Sequence, residues 1–410
     1  MTDENPSGGR VSRLVIVGAS LAGLSAAESA RTNGFGGEII LIGDEVHHPY
    51  DRPPLSKQAL QDPDHGIPFL RDPVHYAEQL RAELMLGSPA TALLADEKVI
   101  VIGDAARVEY DALVIATGAG PRALPGLTGA AGVLSLRTIE ETRALREALD
   151  AGGSMVVVGA GFIGAEVASA FRERGADVTI VEATMSPLAR VLGEQMGSRL
   201  SEMHGRHGTR LFCGVTVSDL ESSDDAVTAV HLSDGQRIAA DLVLVSIGAV
   251  PATEWLRSSG IALNPDGGIA CDSTLRTSLP DVYAAGDVVH WPNAIMRTSM
   301  RLEQWTSAHE QGAIAGRNAV SGAAESYETV PYFWSDWYKN RIQFVGRVGD
   351  SEPVVVSGAV DDDRFVALYR DGDRLIGALA VNQPSRIMKD RRRISQGASW
   401  PEALEAYDVA

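Results

Sequence analysis

The chain has 410 residues, a formal net charge of −18 and a hydrophobic content of 45%. Its length predicts two or three domains, its acidity disfavours a general nucleic-acid role, and no run approaches the about 20 apolar residues that span a membrane. Cys213 and Cys271 lie far apart in the sequence, which argues against a disulfide scaffold, a zinc or other metal site, or a dithiol redox centre. The first ten residues also lack the apolar core of a secretory signal, and together with the cysteine usage this makes the cytoplasm the default expectation.

A strand, a glycine turn and a helix are predicted near the start of the chain. Residues 15–17 are a short apolar run, Gly18 begins the turn, and an alanine-rich helix is expected over 21–30. Unpaired N–H groups at the start of such a helix suit a pyrophosphate, and the helix dipole favours its charge. Ser20 occupies the middle glycine of the G-x-G-x-x-G dinucleotide pattern, so this turn alone also fits a plain strand-turn-helix. The candidate cofactor residues of the turn are Gly18, Ser20, Leu21, Ala22 and Gly23.

A second predicted strand, 38–42, is followed by Asp44, roughly 20 residues past the first turn. An acid at this spacing accepts hydrogen bonds from ribose hydroxyls, although a loop acid would look the same. The proline-rich residues 49–57 predict a rigid, extended segment rather than a helix. Lys57 ends this segment and could place a positive charge beside an anionic ring, or be an incidental surface lysine.

Short alternating strands over 84–110 predict a small antiparallel insertion. Residues 113–118 then predict a buried strand that ends at Ala116, Thr117 and Gly118, where the glycine lets a cofactor approach the backbone. Pro121 and Pro125 mark a linker to the next part of the chain.

A second nucleotide turn follows roughly 140 residues after the first, with all three glycines present. It comprises Gly159, Gly161, Phe162, Ile163 and Gly164, and it leads into a helix predicted over 162–174. Two such turns predict two Rossmann-type units, which is the layout of a flavoprotein that takes electrons from a nicotinamide. The next strand ends at Glu182, an acid that bonds ribose hydroxyls and would repel the extra phosphate of NADP, so we expect NADH rather than NADPH.

The strand 242–245 closes the second unit before Gly248, and residues 283–287 return to the first domain. Gly286 and Asp287 end that short strand, and the carboxylate either accepts a sugar hydroxyl or is a turn acid. A helix is expected over 306–320. Aromatic residues then crowd 332–338, which fits a core as well as a cofactor wall, and a hairpin through Asp371-Gly372 and a final helix predict an α+β cap.

The predicted fold class is therefore α/β, with two Rossmann-like nucleotide-binding domains in a disulfide-reductase-like flavoprotein architecture, plus a C-terminal α+β domain. We expect an FAD-binding domain from 1–117 and 248–322, an NAD-binding domain over 118–247, and the C-terminal domain over 323–410.

The chain resembles the FAD-dependent NADH:ferredoxin reductases of bacterial oxygenase systems from Arg13 to about Ile394. The glycine turns are shared by many flavoproteins, whereas residues 49–57 and Phe333-Trp334-Ser335-Asp336 are far more specific. The resemblance implies hydride transfer from NADH to FAD, and single electrons to a 2Fe–2S ferredoxin that feeds a monooxygenase or a ring-hydroxylating dioxygenase.

The resemblance also implies roles for individual residues. It implies that Ala22, Asp44 and Lys57 contact FAD, and that Ala90 and Arg137 touch its adenine side. It implies that Asp287 bonds the ribityl or pyrophosphate region of FAD and that Trp305 lies near the isoalloxazine. It implies that NADH is held by Gly161, Ile163 and Glu182. Arg52 and Pro53 complete the candidate cofactor set. Glu166 would pair with Lys57 beside the flavin, and these two are the candidate catalytic residues. Trp337 stands where many relatives have glutamine, in a stretch that lines the flavin pocket, so it bears on nicotinamide stacking.

No cysteine pair can relay electrons, so direct transfer through the flavin is expected, with Lys57 steadying negative charge and Glu166 orienting Lys57. The ferredoxin is expected to be acidic and to dock on Lys389, Arg391, Arg392 and Arg393, unless that cluster is simply a solvated helix face. A disulfide or peroxide reductase would need a cysteine in the first domain, and none precedes Cys213. A peroxide-forming NADH oxidase and a non-catalytic NAD or flavin redox sensor are the remaining alternatives.

Overall fold

The computed structural model describes residues 11–62, 66–125, 131–224 and 226–408. The first ten residues, for which the sequence argues against a secretory signal, lie outside these ranges. The chain divides into two compact units. The first unit comprises Met1–Asp51, Phe69–Ala119 and Pro251–Glu328, and the second comprises Arg52–Pro68, Gly120–Val250 and Thr329–Ala410. The domain boundaries expected from the sequence stay a prediction, because these units are defined by packing and not by ligands.

The first unit contains a parallel five-stranded sheet. Its strands, in spatial order, are Val282–Ala284, Ala112–Ile115, Arg13–Val17, Glu38–Ile42 and Ala82–Met85. Four of these strands are buried apart from their first residues Arg13 and Glu38, as expected for a sheet covered on both faces, whereas the edge strand Ala82–Met85 is only partly buried. Leu84 belongs to this sheet, so its assignment to the antiparallel insertion was wrong. The insertion itself is confirmed as the sheet Ala90–Leu94, Val99–Ile102 and Ala106–Glu109.

Two helices of the first unit pack against each other at very short range. They are Leu21–Thr32 and Trp305–Ser321. A Cβ on Gly312 would overlap the carbonyl oxygen of Ala22, and one on Gly316 would overlap that of Ala26. Glycine on one helix and alanine on the other therefore set how closely the two backbones approach. A third sheet of this unit has the strands Ile269–Ala270, Val289–Asn293 and Thr298–Arg301.

The second unit contains another parallel five-stranded sheet. Its strands, in spatial order, are Arg210–Cys213, Asp177–Glu182, Ser154–Val158, Leu242–Val245 and Val133–Leu134. An antiparallel sheet accompanies it, with the strands Val217–Ser223, Ala226–Leu232 and Arg237–Ala239. Its helices are Ile139–Ala151, Phe162–Glu173, Ala189–Leu192 and Glu194–Arg206. The chain passes from one unit to the other within the short strands Ala119–Pro121 and Ala249–Pro251.

The C-terminal part of the second unit is an antiparallel sheet with two helices. The strands, in spatial order, are Tyr332–Trp337, Asn340–Gly346, Arg374–Val381, Arg364–Asp371 and Val354–Ala359, and the helices are Pro384–Ser395 and Trp400–Glu405. The predicted hairpin through Asp371-Gly372 is confirmed, because Asp371 pairs with Arg374 across the turn. None of the helices in the described ranges has the length and apolar content needed to cross a membrane.

The proline-rich segment differs from its prediction. Pro53–Ser56 form a 3-10 turn and Gln58–Gln61 an α-helical turn, whereas the sequence predicted an extended conformation. Proline is favoured in a first helical turn because its fixed φ suits the helix and its missing N–H has no partner there. The remaining single turns are His75–Gln79, Ala95–Glu97, Glu254–Leu256 and Val360–Asp362.

Candidate functional site

The first glycine turn is shaped by close backbone approaches. Gly18 has φ +122°, and its N–H donates to the carbonyl of Ile42 at 2.7 Å. A Cβ on Gly18 would overlap the carbonyl oxygen of Ala116, and one on Gly23 would overlap that of Gly18. Ser20 has extended backbone at the start of the helix, and its side chain does not cap it. A side chain is therefore accommodated at the middle position, and Leu21 and Ala22 begin a helix that a ligand can cap.

The other predicted first-unit residues follow the carboxyl ends of neighbouring parallel strands. Asp44 is exposed after the strand Glu38–Ile42, Thr117 and Gly118 follow Ala112–Ile115, and Asp287 follows Val282–Ala284. The carboxyl ends of parallel strands share one edge of a sheet, which is where this fold class binds ligands. The structure thus brings these residues to the edge that holds Gly18. Ala90 instead begins a strand of the antiparallel insertion, where it pairs with Ile102.

Buried polar contacts fix the end of the strand Val282–Ala284. Gly286 has φ +82°, and its N–H donates to Gln311 Oε1 at 2.9 Å, where Gln311 is 1% exposed. The carbonyl of Asp287 accepts a hydrogen bond from the Arg301 guanidinium at 3.0 Å. Gln311 was missed from the sequence, because nothing in its spacing marks it as a partner of this turn.

Trp305 is held between two side chains of its own unit. Its indole N–H donates to Asp51 Oδ1 at 2.7 Å, and its ring stacks on His309 with the centroids 5.7 Å apart. Burial raises the pKa of Asp51, and the bond from Trp305 opposes that rise. The bond to Asp51 could not be predicted from the sequence, since Asp51 and Trp305 are 254 residues apart.

The second glycine turn repeats the geometry of the first. Gly159 has φ +102°, and a Cβ on it would overlap the carbonyl oxygen of Ser246. A Cβ on Gly164 would lie 2.7 Å from the carbonyl oxygen of Gly159. Gly161 precedes the helix Phe162–Glu173 and has no side chain to cap it. Ile163 is 46% exposed in the first turn of that helix.

Glu182 is tied to this turn by its carboxylate. Its Oε2 accepts the N–H of Ala160 at 2.9 Å, and its Oε1 accepts the N–H and the hydroxyl of Thr184, each at 2.8 Å. Gly248, which is exposed and has φ +102°, follows the neighbouring strand Leu242–Val245. Glu182, Gly159 and Gly248 therefore follow or end adjacent parallel strands at one sheet edge.

Lys57 and Glu166 form a shielded ion pair in the second unit. Lys57 Nζ lies 2.5 Å from Glu166 Oε1, and the side chains are 12% and 5% exposed. Ser335 donates its hydroxyl to the same carboxylate oxygen at 2.6 Å, and the N–H of Asp336 lies 3.2 Å from it. The hydroxyl of Ser56 donates to the other oxygen. The pairing implied by the resemblance is present, and Ser56 and Ser335 are partners that the sequence did not reveal.

Two further candidates bond to each other. Arg52 donates to the carbonyl of Arg137 at 2.6 Å, and the N–H of Arg137 donates to Glu141 at 2.5 Å. Glu141 also completes the capping box of the helix Ile139–Ala151. Pro53 begins the 3-10 turn beside Arg52. Arg137 lies in the second unit and Ala90 in the first.

The aromatic residues of 332–338 divide between core and surface. Trp337 is 0% exposed and packs against Phe162, with the ring centroids 5.9 Å apart. The Trp337 ring thus lies inside the core of the second unit, and its bearing on nicotinamide stacking stays a prediction. Phe162 also packs on Phe333 at 4.7 Å, so its side chain belongs to that core. Trp334 remains half-buried, beneath the Arg341 guanidinium.

The basic cluster also separates into two groups. Arg391 donates to the carbonyl of Val330 at 3.0 Å, and Arg393 donates to the buried Asp390 at 2.7 Å. Lys389 and Arg392 are exposed on the helix Pro384–Ser395. Of the four basic residues at which docking is predicted, Lys389 and Arg392 are therefore the two that face solvent.

The two cysteines lie in different units. Burial raises the pKa of both thiols, which disfavours the reactive thiolate. Across the residues that the structure describes, no group of three His, Cys, Asp or Glu side chains could hold a metal ion.

Comparison with known proteins agrees with this geometry. Residues 12–312 match the pyridine nucleotide-disulphide oxidoreductase family, and residues 332–409 match the reductase C-terminal domain. The chain belongs to the pyridine nucleotide-disulphide oxidoreductase family. It is 38% identical to rhodocoxin reductase of Rhodococcus erythropolis, over 92% of this chain and 88% of that protein. The family and fold class predicted from the sequence are confirmed.

Two further members of the family are similarly close. The chain is 36% identical to the ferredoxin–NAD(+) reductase component of the biphenyl dioxygenase system of Paraburkholderia xenovorans strain LB400, over 91% of this chain and 90% of that protein. It also superposes on the reductase of a covalent putidaredoxin reductase–putidaredoxin complex with a TM-score of 0.90, at 31% identity. That alignment covers 95% of this chain and 94% of the other.

Proposed function

We propose that the protein is an FAD-dependent NADH:ferredoxin oxidoreductase. The observation that carries this proposal is the pair of dinucleotide turns, one in each unit, in a chain with no cysteine pair. The biphenyl dioxygenase relative is a ferredoxin–NAD(+) reductase, and the putidaredoxin reductase structure holds its ferredoxin partner. A flavin, when bound, accepts a hydride and gives up electrons one at a time, which is what a nicotinamide donor and an iron–sulfur acceptor require.

The first unit has the features that FAD needs. Gly18 and Gly23 leave no room for side chains, so the turn and the helix start stay open to a pyrophosphate. Asp44 is exposed at the same sheet edge, where its carboxylate can accept ribose hydroxyls. We assign the FAD contacts to this edge, with Ala22, Gly286 and Asp287 beside the turn. Trp305, fixed by Asp51, is the proposed neighbour of the isoalloxazine.

The second unit has the features that NADH needs. Gly159 and Gly161 form the phosphate turn, and Glu182 ends the neighbouring strand. Because the Glu182 carboxylate is already held by the N–H of Ala160, its negative charge is fixed at the turn. A fixed anion accepts ribose hydroxyls and repels a 2′-phosphate, which favours NADH over NADPH.

Lys57 and Glu166 are the proposed catalytic pair. Glu166 receives hydrogen bonds on both carboxylate oxygens, so it presents a fixed anion to Lys57. Lys57 in turn offers a positive charge, shielded from water, that would steady negative charge on the reduced ring. Lys57 and Glu166 would act by orienting the reactants and by stabilising charge, and neither residue needs to form a covalent bond.

The partner is a ferredoxin, and we propose that it is acidic and docks near Lys389 and Arg392. Both side chains are exposed on one helix, while the overall charge of the chain is −18. A local positive surface on an acidic protein speeds association with an acidic partner. Arg391 and Arg393 would support this surface through their internal bonds.

The deciding experiment is NADH-dependent reduction of cytochrome c by the purified holoenzyme, with and without a 2Fe–2S ferredoxin from the same genome. We expect the rate to depend strongly on the ferredoxin. Rapid NADH consumption with peroxide release, unaffected by ferredoxin, would instead show an NADH oxidase. Slow ferredoxin reduction with a long-lived complex of NAD and reduced flavin would show a sensor.

A further inference from the structure

Trp337 lies two residues after Ser335 on the strand Tyr332–Trp337. Side chains two positions apart on a strand point to the same face. Both side chains are 0% exposed, and the Trp337 indole N–H donates to Ser335 Oγ at 2.8 Å. The Ser335 hydroxyl donates in turn to Glu166 Oε1 at 2.6 Å, the oxygen that also holds Lys57 Nζ at 2.5 Å.

The donor and acceptor chemistry gives this chain of bonds one direction. An indole N–H can only donate, so it occupies an acceptor site on the Ser335 oxygen. The hydroxyl proton of Ser335 is then left to point at Glu166. Without the indole, the hydroxyl proton could turn elsewhere, and Glu166 would lose a donor. Trp337 therefore determines how Ser335 binds the carboxylate.

The indole is itself held in place by packing. Its ring stacks on His204 with centroids 5.1 Å apart and an interplanar angle of 26°, and it packs on Phe162 on the helix that carries Glu166. A second contact joins the same helix to the residue after Trp337, because the Tyr338 N–H donates to Ser169 at 2.6 Å. These contacts hold the strand Tyr332–Trp337 against the helix Phe162–Glu173, which carries Glu166.

We propose that Trp337 is a positioning residue for hydride transfer, which acts through Ser335 to fix the Glu166 carboxylate and thereby the Lys57 ammonium. The inference rests on the proposed catalytic role of Lys57. It assigns to Trp337 a task in the carboxylate network, in place of any contact with the nicotinamide.

The first test needs no bound cofactor. In protein labelled with 15N-tryptophan, the indole signal that disappears in Trp337→Phe identifies Trp337. We expect that signal to shift in Ser335→Ala and in Glu166→Gln, since each change alters the bond that the indole donates or the partner of Ser335. An indole signal that stays in place in both variants would overturn the proposal.

The second test isolates the N–H from the volume of the ring. Replacement of Trp337 by 3-benzothienylalanine keeps the ring size and puts sulfur in place of the N–H. In stopped flow with the FAD-loaded protein, we expect the limiting rate of flavin reduction by NADH to fall about threefold to tenfold, the worth of one hydrogen bond. The apparent Kd for NADH should stay unchanged, and an unchanged limiting rate would overturn the proposal.

Tyr369→Phe is the matched control. It removes a buried hydroxyl from the same core, with its bond to the carbonyl of Leu192, and this hydroxyl is not bonded to Glu166, Ser335 or His204. We expect it to lower the unfolding temperature and to leave the limiting rate unchanged. An equal loss of rate in this variant would show that Trp337 has only a structural role.

Failure of the proposed function can be told apart from failure of this inference. If the wild type does not reduce a ferredoxin, the proposed function fails, but flavin reduction by NADH and the indole signal can still be measured.

Discussion

Lys57 Nζ lies 2.5 Å from Glu166 Oε1, and neither side chain is more than 12% exposed. The Coulomb attraction within an ion pair shielded in this way is stronger than within an exposed pair, and either partner left alone would be a poorly solvated charge. We expect Lys57→Met to lower the limiting rate of flavin reduction by NADH about tenfold or more in stopped flow, because a fixed positive charge is lost. Lys98→Met, which removes the more exposed pair of Lys98 with Asp281, should leave that rate unchanged. An unaltered rate in Lys57→Met would remove Lys57 from the mechanism.

Glu182 offers a test of cofactor choice. Glu182→Ala removes the acceptor of the Ala160 N–H and the proposed partner of the ribose hydroxyls, so the KM for NADH should rise about tenfold or more. The preference for NADH over NADPH should narrow, since a repelling anion is lost. Asp177→Asn, at the exposed start of the same strand, should change neither. Equal turnover of the wild type with both nucleotides at equal concentration would refute the assignment.

The exposed bases of the helix Pro384–Ser395 offer a test of docking. Lys389→Glu combined with Arg392→Glu should raise the half-saturating ferredoxin concentration about threefold to tenfold and weaken its dependence on salt. Flavin reduction by NADH should be unaffected. Arg257→Glu reverses a base that is 75% exposed in the first unit and is not expected to matter. If the double variant behaves as the wild type at every salt concentration, the ferredoxin docks elsewhere.

His204 makes stability depend on pH. Burial, with a smaller contribution from His207, lowers the pKa of His204 to about 4. Because the pKa is lowered in the folded state, its contribution is fully present above pH about 6.5, the unfolded value, and is lost as the pH falls towards about 4. The loss should approach about 3 kcal/mol in the free energy of unfolding. Urea unfolding between pH 7.5 and about 4.5 measures it.

A variant separates this contribution from the rest of the acid response. His204→Gln has no titrating group, so its free energy of unfolding should fall less than that of the wild type across the same pH range. His231→Gln, at an exposed position beside Glu221, should follow the wild type. Parallel curves for wild type and His204→Gln would contradict the prediction.

The short approach of Gly312 to Ala22 predicts a cost for any side chain there. Gly312→Ala should destabilise the protein by about 1–3 kcal/mol, because the methyl group would overlap the Ala22 carbonyl. Gly205→Ala makes the same change inside the helix Glu194–Arg206, where a Cβ meets no atom within 4 Å. It should stabilise by about 0.5–1 kcal/mol, from helix propensity alone. Chemical denaturation of the two variants provides the comparison.

Local signals predicted most of the architecture. The two glycine turns could be predicted because the backbone at Gly18 lies against the Ala116 carbonyl and that at Gly159 against the Ser246 carbonyl, so that only glycine fits. This requirement appears in the sequence as a recognisable glycine pattern. The helices at Phe162–Glu173 and Trp305–Ser321 were predicted to within one residue, since hydrophobic periodicity and turn residues mark their ends.

Long-range contacts were beyond the sequence. The bond between Asp51 and Trp305 joins residues 254 positions apart, and no periodicity encodes it. Arg391 belongs to a basic run by composition, yet its bond to Val330 gives it a structural role. The aromatic run 332–338 fits a core as well as a cofactor wall, and only the fold shows that the Trp337 ring is buried while its N–H reaches Ser335.

The discontinuity of the first unit constrains how the chain can fold during synthesis. The edge strand Val282–Ala284 and the helix Trp305–Ser321 belong to this unit, although the nucleotide turn of that unit is made near the N-terminus. The helix Leu21–Thr32 thus has no packing partner at Gly312 until the ribosome has translated the intervening part of the second unit. Contacts of such large sequence separation form slowly. The packing face of the N-terminal helix therefore stays exposed until a partner that begins only at Trp305 has been made, and we expect this early segment to depend on chaperones during synthesis.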